Sequence, residues 1–267
     1  MPSLDDLIER IDRDFDREHL ASFWTLEPLL AAFVQRQHAA ALVNRELQQL
    51  CRDPSYMGDW RPNQLMLHRG RGFALSIWWF ERERRYLHTM PYLGYYVPLG
   101  RDPLRCTRYA LPGAYDNAVF DPGLRIERIG RRNVQPLQIL PLHGDRDVYD
   151  FHVDRPVPVL KLTTAAFHSL EWLFDRDTGY AVQANDSELS ATQLRIAAYL
   201  LGQLGDAQSL GPLQGLLRHR HHAVRWAAIQ GLGRLDADAA RAALRQAVQD
   251  EHPHLRRAAQ RTLDAAS

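Results

Sequence analysis

Lysine is nearly missing from this chain: Lys161 is the only one, so 32 of its 33 basic side chains are arginine. The 32 acidic residues leave a formal charge of +1. A protein that works by global attraction to nucleic acid or anionic lipid carries a surplus of positive charge, and this chain has none. The arginine bias reads as the mark of a GC-rich genome, not as a phosphate-binding adaptation. Cysteine is scarce as well. Cys51 and Cys106 alone make no disulfide scaffold, and two unpaired thiols fit a reducing cytosol. No run approaches the roughly 20 apolar residues that span a bilayer. The N-terminus, Met1-Pro2-Ser3-Leu4-Asp5-Asp6, is acidic where a secretory signal is basic. The expectation is a cytoplasmic protein that binds neither membrane nor nucleic acid. There is no P-loop, dinucleotide-binding glycine run, Gly-x-Ser-x-Gly elbow, His-Glu-x-x-His or Cys-x-x-Cys, which counts against the enzymes built on those motifs but not against one whose residues converge only in the fold.

What is present is an ordinary globular composition, 45% hydrophobic over 267 residues, enough to bury a core without staples. Its periodicity changes twice. Leu4, Leu7, Ile8, Ile11 and Phe15 form one helical stripe, and Leu26, Leu29, Leu30, Phe33 and Val34 begin another. Thr25 reads as the N-cap of that second helix, with Pro28 in its first turn. From about Gln64 to Thr164 the pattern becomes short apolar runs broken by turn residues. The runs are Phe73 to Trp79, Leu93 to Leu99, Leu104 to Ala110, Leu124 to Ile129, Val134 to Leu140, Val148 to Val153 and Pro158 to Leu162. Such spacing predicts an antiparallel sandwich or barrel. Helix returns after the polar stretch Ala184-Asn185-Asp186-Ser187. The expected division is a helical segment over 1–60, a β region over 61–185 and helical repeats over 186–267.

Sliding the last third along itself by 31 residues superposes Ala197 on Ala228 and Ala259, Gly202 on Gly233, Leu213 on Leu244, Val224 on Leu255 and Arg225 on Arg256. Each unit holds two helical patterns and must stack on neighbours to bury its apolar face. The string from Val224 to Leu235, VRWAAIQGLGRL, resembles the HEAT-like repeat of the short type first associated with phycobilisome lyases. Leu255-Arg256-Arg257-Ala258-Ala259 opens another copy, and Leu194 to Leu204 is an earlier, imperfect one. The resemblance covers about 75 residues and implies contact with a protein partner. The repeat arginines are expected to brace the stack, for instance Arg256 near Asp250. Arg218-His219-Arg220-His221-His222, at a repeat junction, is read either as a cationic partner-binding loop or as a solvated linker.

The segment from Tyr86 to Gly100 resembles the first motif of cupin barrels, particularly the cysteine-dioxygenase-like branch, in which a His-x-His pair enters the barrel. The resemblance extends over about 110 residues. It implies His88 and His152 as candidate metal ligands, with Met90 standing where the second histidine of the pair would be. Two residues at i and i+2 share a strand face, but a thioether is a poor ligand for oxygen-activating iron. Pro141-Leu142-His143-Gly144 only loosely matches the second cupin motif. Trp78, Trp79, Tyr92, Tyr95 and Tyr96 either line a small-molecule pocket or form the core.

The expected fold is α+β: N-terminal helices on a cupin-like antiparallel barrel, then an all-α HEAT-like array. The leading functional expectation is a non-catalytic adaptor or small-molecule sensor with no cofactor. Its pocket would involve His88, Met90, Tyr96 and His152, and its partner surface Arg218, His219, Arg220, His221 and His222. The alternative is a non-haem Fe(II) dioxygenase with His88 and His152 as ligands. A homodimer closed through the array is a third reading.

Overall fold

The computed structural model describes residues 3–35, 38–81 and 85–265; Met1 and Pro2 of the N-terminal stretch lie outside the described residues. The described chain comprises helices α1 (Leu4–Asp14), α2 (Glu27–Gln35) and α3 (His38–Arg52). Twelve strands follow among the described residues: β1 (Trp60–Arg61), β2 (Gln64–Arg69), β3 (Phe73–Phe80), β4 (Tyr86–His88), β5 (Leu93–Pro98), β6 (Leu104–Ala110), β7 (Glu127–Val134), β8 (Leu140–His143), β9 (Asp147–His152), β10 (Val157–Thr164), β11 (Leu170–Asp175) and β12 (Ala181–Asp186). Helices α4 (Leu189–Leu204), α5 (Leu210–Leu216), α6 (His222–Leu235), α7 (Ala237–Ala247) and α8 (Pro253–Ala265) complete it. Two compact units result. The first holds residues up to Tyr115, Pro122–Phe167 and Trp172–Gln183; the second holds Asp116–Asp121, His168–Glu171 and everything from Ala184 on.

In the first unit, a capping box starts α1: the Ser3 hydroxyl accepts from the Asp6 amide at 3.1 Å and Asp6 accepts from the Ser3 amide at 2.6 Å. Thr25 is not the N-cap of α2. It lies in the 3-10 turn Leu20–Leu26, where its hydroxyl donates to the Ser22 carbonyl, and α2 begins at Glu27. All strand pairing among the described residues is antiparallel, in three sheets ordered β1-β2-β3-β10-β5-β8, β12-β11-β4 and β7-β6-β9. A bridge from Thr89 to Val148 joins the edges of the second and third.

Strand alternation gives the six-stranded sheet two different faces. Leu75, Ile77, Tyr95, Val97, Leu160 and Leu162 pack on the N-terminal helices through Leu7, Ile11, Phe23 and Leu30. The opposite face carries Tyr96, Val157 and Val159, which pack with Cys106, Tyr149 and Phe151 of the three-stranded sheet β7-β6-β9. A fully buried Leu or Phe contributes about 1.5–3 kcal/mol, so these two layers account for the stability of the unit.

The runs at Leu93, Leu104 and Val148 became β5, β6 and β9 within a residue or so. The expected strands Leu124 to Ile129 and Val134 to Leu140 did not form as drawn, because β7 occupies Glu127–Val134 and β8 begins at Leu140. Between them Pro136 has no amide to donate, and Leu137 turns at φ 65° with its amide on the Pro98 carbonyl.

The second unit packs its helices through small residues. The buried face of α4 is Ala191, Ala198 and Gly202, and a Cβ on Gly202 would stand 2.9 Å from the Gly231 Cα. Although the sequence repeat superposes Gly202 on Gly233, the close approach is made by Gly231, where a Cβ would meet the Ala198 carbonyl oxygen at 2.8 Å. A Cβ on Gly233 meets nothing nearer than the Ala240 Cβ at 3.8 Å. Gly231→Ala is therefore expected to cost about 1–3 kcal/mol by overpacking, whereas Gly233→Ala is expected to stabilise by about 0.5–1 kcal/mol through helix propensity. Urea unfolding of the two variants reads the opposite signs.

Candidate functional site

Of the sequence-derived pocket residues, Met90 and Tyr96 share one packed layer, and His152 lies on the other face of β9. His88 ends β4, and Met90, just beyond the strand, packs against the cluster that holds Tyr96 and Phe151. Tyr96 also faces this layer, and its hydroxyl meets that of Tyr92 at 2.9 Å. His152 is elsewhere. On β9 it lies on the face opposite Tyr149 and Phe151, and its Nε2 contacts the Thr107 hydroxyl at 2.8 Å and stands 3.8 Å from Asp150. Thr89, just after β4, bridges to Val148 on β9, and His152 is four positions further along that strand, roughly 13 Å from Val148.

Of the two residues that the resemblance implied as iron ligands, His88 ends β4 and His152 ends β9, on the face opposite Tyr149 and Phe151. Among the described residues, no group of three or more His, Cys, Asp or Glu side chains is placed to hold a metal ion. The face of β6 and β9 that holds Thr107, Asp150 and His152 carries polar chemistry. Asp150, buried, pairs with Arg176, and Arg105, Arg131, Arg132, Asn133 and His152 line a groove of about 390 Å³. Cys106, from the inward layer, also borders this groove, and burial pushes its thiol up to about 11, so it is protonated at neutral pH.

The five singled-out aromatics divide between faces. Tyr95 stacks on Phe23 and donates its hydroxyl to the Trp24 carbonyl at 2.9 Å, sealing the sheet to the helices; burial raises its pKa. Trp79 packs near Trp60 at 6.2 Å between ring centres. Trp78, Tyr92 and Tyr96 instead surround the ammonium of Lys161, at 3.8, 5.7 and 4.8 Å from its nitrogen to the ring centres. Sequence reasoning noted Lys161 only as a compositional oddity. The available signal was a lone lysine in an apolar strand with aromatics in two neighbouring runs.

In the second unit, the histidine-arginine segment is structural through most of its length. His221 is buried, and its Nε2 donates to the Ser169 carbonyl at 3.1 Å. The residue one repeat later, His252, does the same to the Ala118 carbonyl at 2.7 Å. The His222 ring lies flat on that of His252, 3.5 Å between centres, and next to that of His221. Arg225 is buried and forms two bonds to Asp250, Nε to Oδ2 at 2.9 Å and Nη2 to Oδ1 at 2.6 Å, while its Nη1 donates to the carbonyls of His219 and Arg220. Arg256 repeats the last pattern on the carbonyls of Asp250 and Glu251. The solvated-linker reading is thus corrected: buried His221 and Arg225 tie the junction together, and Arg218 and Arg220 are its exposed members, with Arg220 paired to Glu188.

Burial and the neighbouring His252 and His221 lower the His222 pKa to about 3. The folded chain therefore resists a proton that the unfolded chain accepts below about 6.5. This contribution to stability is intact above pH 6.5 and is lost progressively as pH falls toward 3. The thermal midpoint of the helical unfolding signal is expected to drop between pH 7 and pH 5, and to drop less in His222→Asn.

A more accessible feature lies on α4. Opposite its small buried face, Leu189, Ile196, Leu200 and Leu204 form an exposed apolar stripe, Ile196 at 54% and Leu204 at 82% exposure. Beside it, Thr192, Arg195, Ile196, Tyr199, Gln230 and Arg234 line a groove of about 330 Å³ between α4 and α6. The Arg234 guanidinium lies 5.0 Å from the Tyr199 ring centre. No helix among the described residues is long and apolar enough to cross a membrane.

The family described as HEAT repeats matches residues 183–264, the span in which the 31-residue repeat was read. No curated protein matches the chain. Among solved structures, it is similar to hydroquinone 1,2-dioxygenase PnpCD at 13% identity and a TM-score of 0.31, over 41% of this chain and 69% of that one. The hydroquinone 1,2-dioxygenase of Sphingomonas sp. TTNP3 gives 12% identity and a TM-score of 0.32, over 40% and 68%. A sugar phosphate isomerase from a cupin superfamily, from Silicibacter pomeroyi DSS-3, gives 13% and 0.25, over 46% and 74%.

Proposed function

We propose that this chain, with HEAT repeats as its C-terminal part, is a non-catalytic adaptor that binds a protein partner along α4, while the aromatic face of the six-stranded sheet holds a small molecule. The observation that carries the reading is the exposed stripe Leu189, Ile196, Leu200 and Leu204 on the first helix of the array. A helical stack buries each apolar face on the next unit, so an apolar face left at its end is a surface for another element to cover. The occupant best matched to it is an amphipathic helix with an acidic flank. Its apolar side would cover Ile196 and Leu200, and its carboxylates would meet Arg234 at the edge of the groove, beside Arg195, which Asp186 already holds.

The test is a photo-crosslinking amino acid at position 196 of the full chain, in cells. One dominant adduct with a protein whose crosslinked peptide is an acidic amphipathic helix, abolished by Leu200→Glu with the fold intact by circular dichroism, supports the reading. Crosslinks only between copies of this chain, with dimeric sedimentation lost in Leu200→Glu, would replace it by the homodimer. No crosslink at all would overturn it.

A further inference from the structure

Lys161 is the one primary amine on any side chain of this protein, and it lies inside the sheet. It occupies the middle of β10, opposite Ser76 on β3 and Tyr96 on β5, and is 6% exposed. Its neighbours Leu160 and Leu162 face the N-terminal helices, so alternation turns Lys161 to the other face with Val159. There the ring of Trp78 lies 3.8 Å from the ammonium, with Tyr96 at 4.8 Å and Tyr92 at 5.7 Å, while the two tyrosine hydroxyls touch each other at 2.9 Å. Trp78 and Tyr92 are only half-buried, so the rim of this aromatic box meets solvent.

A cation over aromatic faces is satisfied equally by arginine, which forms such contacts more often than lysine. In a chain where arginine fills every other basic position, the box holds the single group whose chemistry differs. A guanidinium stays protonated, whereas an amine can give up its proton and attack a carbonyl carbon. We propose that Lys161 is a carbonyl-capture site, forming a reversible imine with an aldehyde or ketone that carries an aromatic or apolar group.

The step balances without an oxidant or reductant. The ammonium loses a proton, its nitrogen lone pair forms a C–N bond, and the carbonyl oxygen leaves as water after taking two protons. From ammonium and aldehyde the products are one protonated imine and one water. The charge on nitrogen is the same before and after, so the three rings that hold the ammonium hold the iminium in the same place. The Tyr92 and Tyr96 hydroxyls are on those rings and form a pair able to pass protons to and from the departing oxygen. The flat, apolar walls select an aromatic or alkyl substituent over a sugar-like one.

This inference rests on the small-molecule reading of the same sheet face, and the test separates the two. The full chain is incubated with benzaldehyde at pH 7 and trapped with sodium cyanoborohydride, and the adduct is located by peptide mass mapping. In parallel, tryptophan fluorescence is titrated with benzaldehyde without reductant. The expected result is one benzyl group on Lys161, acquired about tenfold faster than on the same lysine in the urea-unfolded chain, with quenching of Trp78 that is weakened in Trp78→Phe. Lys161→Arg should lose the adduct and retain the quenching. Quenching with labelling confined to the α-amine, or no faster at Lys161 in the folded than in the unfolded chain, would overturn the imine and leave the pocket standing. Neither quenching nor labelling would overturn both.

Discussion

Arg225→Ala is expected to cost about 3–5 kcal/mol, the loss typical of breaking a buried ion pair from one side. The substitution strands the Asp250 carboxylate, itself only 14% exposed, and leaves the His219 and Arg220 carbonyls without their donor. Arg256 provides the internal comparison. It makes the same two carbonyl contacts one repeat later from an exposed position, with no buried carboxylate attached. Arg256→Ala is therefore expected to cost about 1 kcal/mol. Urea unfolding followed by far-ultraviolet circular dichroism measures both. Equal losses would mean that the Asp250 pair adds nothing to the junction. Asp250→Asn, which keeps an acceptor for the guanidinium, should fall between the two.

The second large effect is expected at Gly144. A Cβ there would collide with the carbonyl oxygens of Met90 and Tyr92, both backbone atoms of the short bend between β4 and β5. Neither oxygen can rotate out of the way as a side-chain tip would. Gly144→Ala should cost at least about 3 kcal/mol, the upper end of overpacking losses, and should lower the soluble yield of the full chain. Gly113→Ala, where nothing stands within 4 Å of the new methyl group, should leave stability unchanged. Because the colliding oxygens lie on the segment that carries Met90 and Tyr92, any Gly144→Ala protein that does fold should also show altered fluorescence from Trp78.

Strand placement also decides where the residues that the cupin resemblance pointed to end up. Met90 lies just beyond β4, which His88 ends, and the position of the other candidate ligand, His152, depended on where β9 would lie. β9 bridges through Val148 to Thr89, just after β4. Its alternation puts Tyr149 and Phe151 toward Tyr96 and turns His152 to Thr107. A strand pattern states which residues share a face, but it does not state which face of which neighbour they meet.

The sequence alone determined what local periodicity controls. The amphipathic stripe from Leu4 to Phe15, the short apolar runs that became β5, β6 and β9, and the 31-residue repeat each depend on neighbours within a few turns or on one copy stacking on the next. Tertiary structure decided what depends on distant pairs. It set Gly231, not Gly233, against Gly202, and used His221 and His252 to hold the carbonyls of Ser169 and Ala118, 52 and 134 residues away. It also brought Trp78, Tyr92 and Tyr96 around the only lysine, because β10 is placed between β3 and β5. The near-absence of lysine was legible in the composition. That the one exception is a caged amine followed only from the strand order, since the cage is assembled from residues more than 60 positions away in sequence.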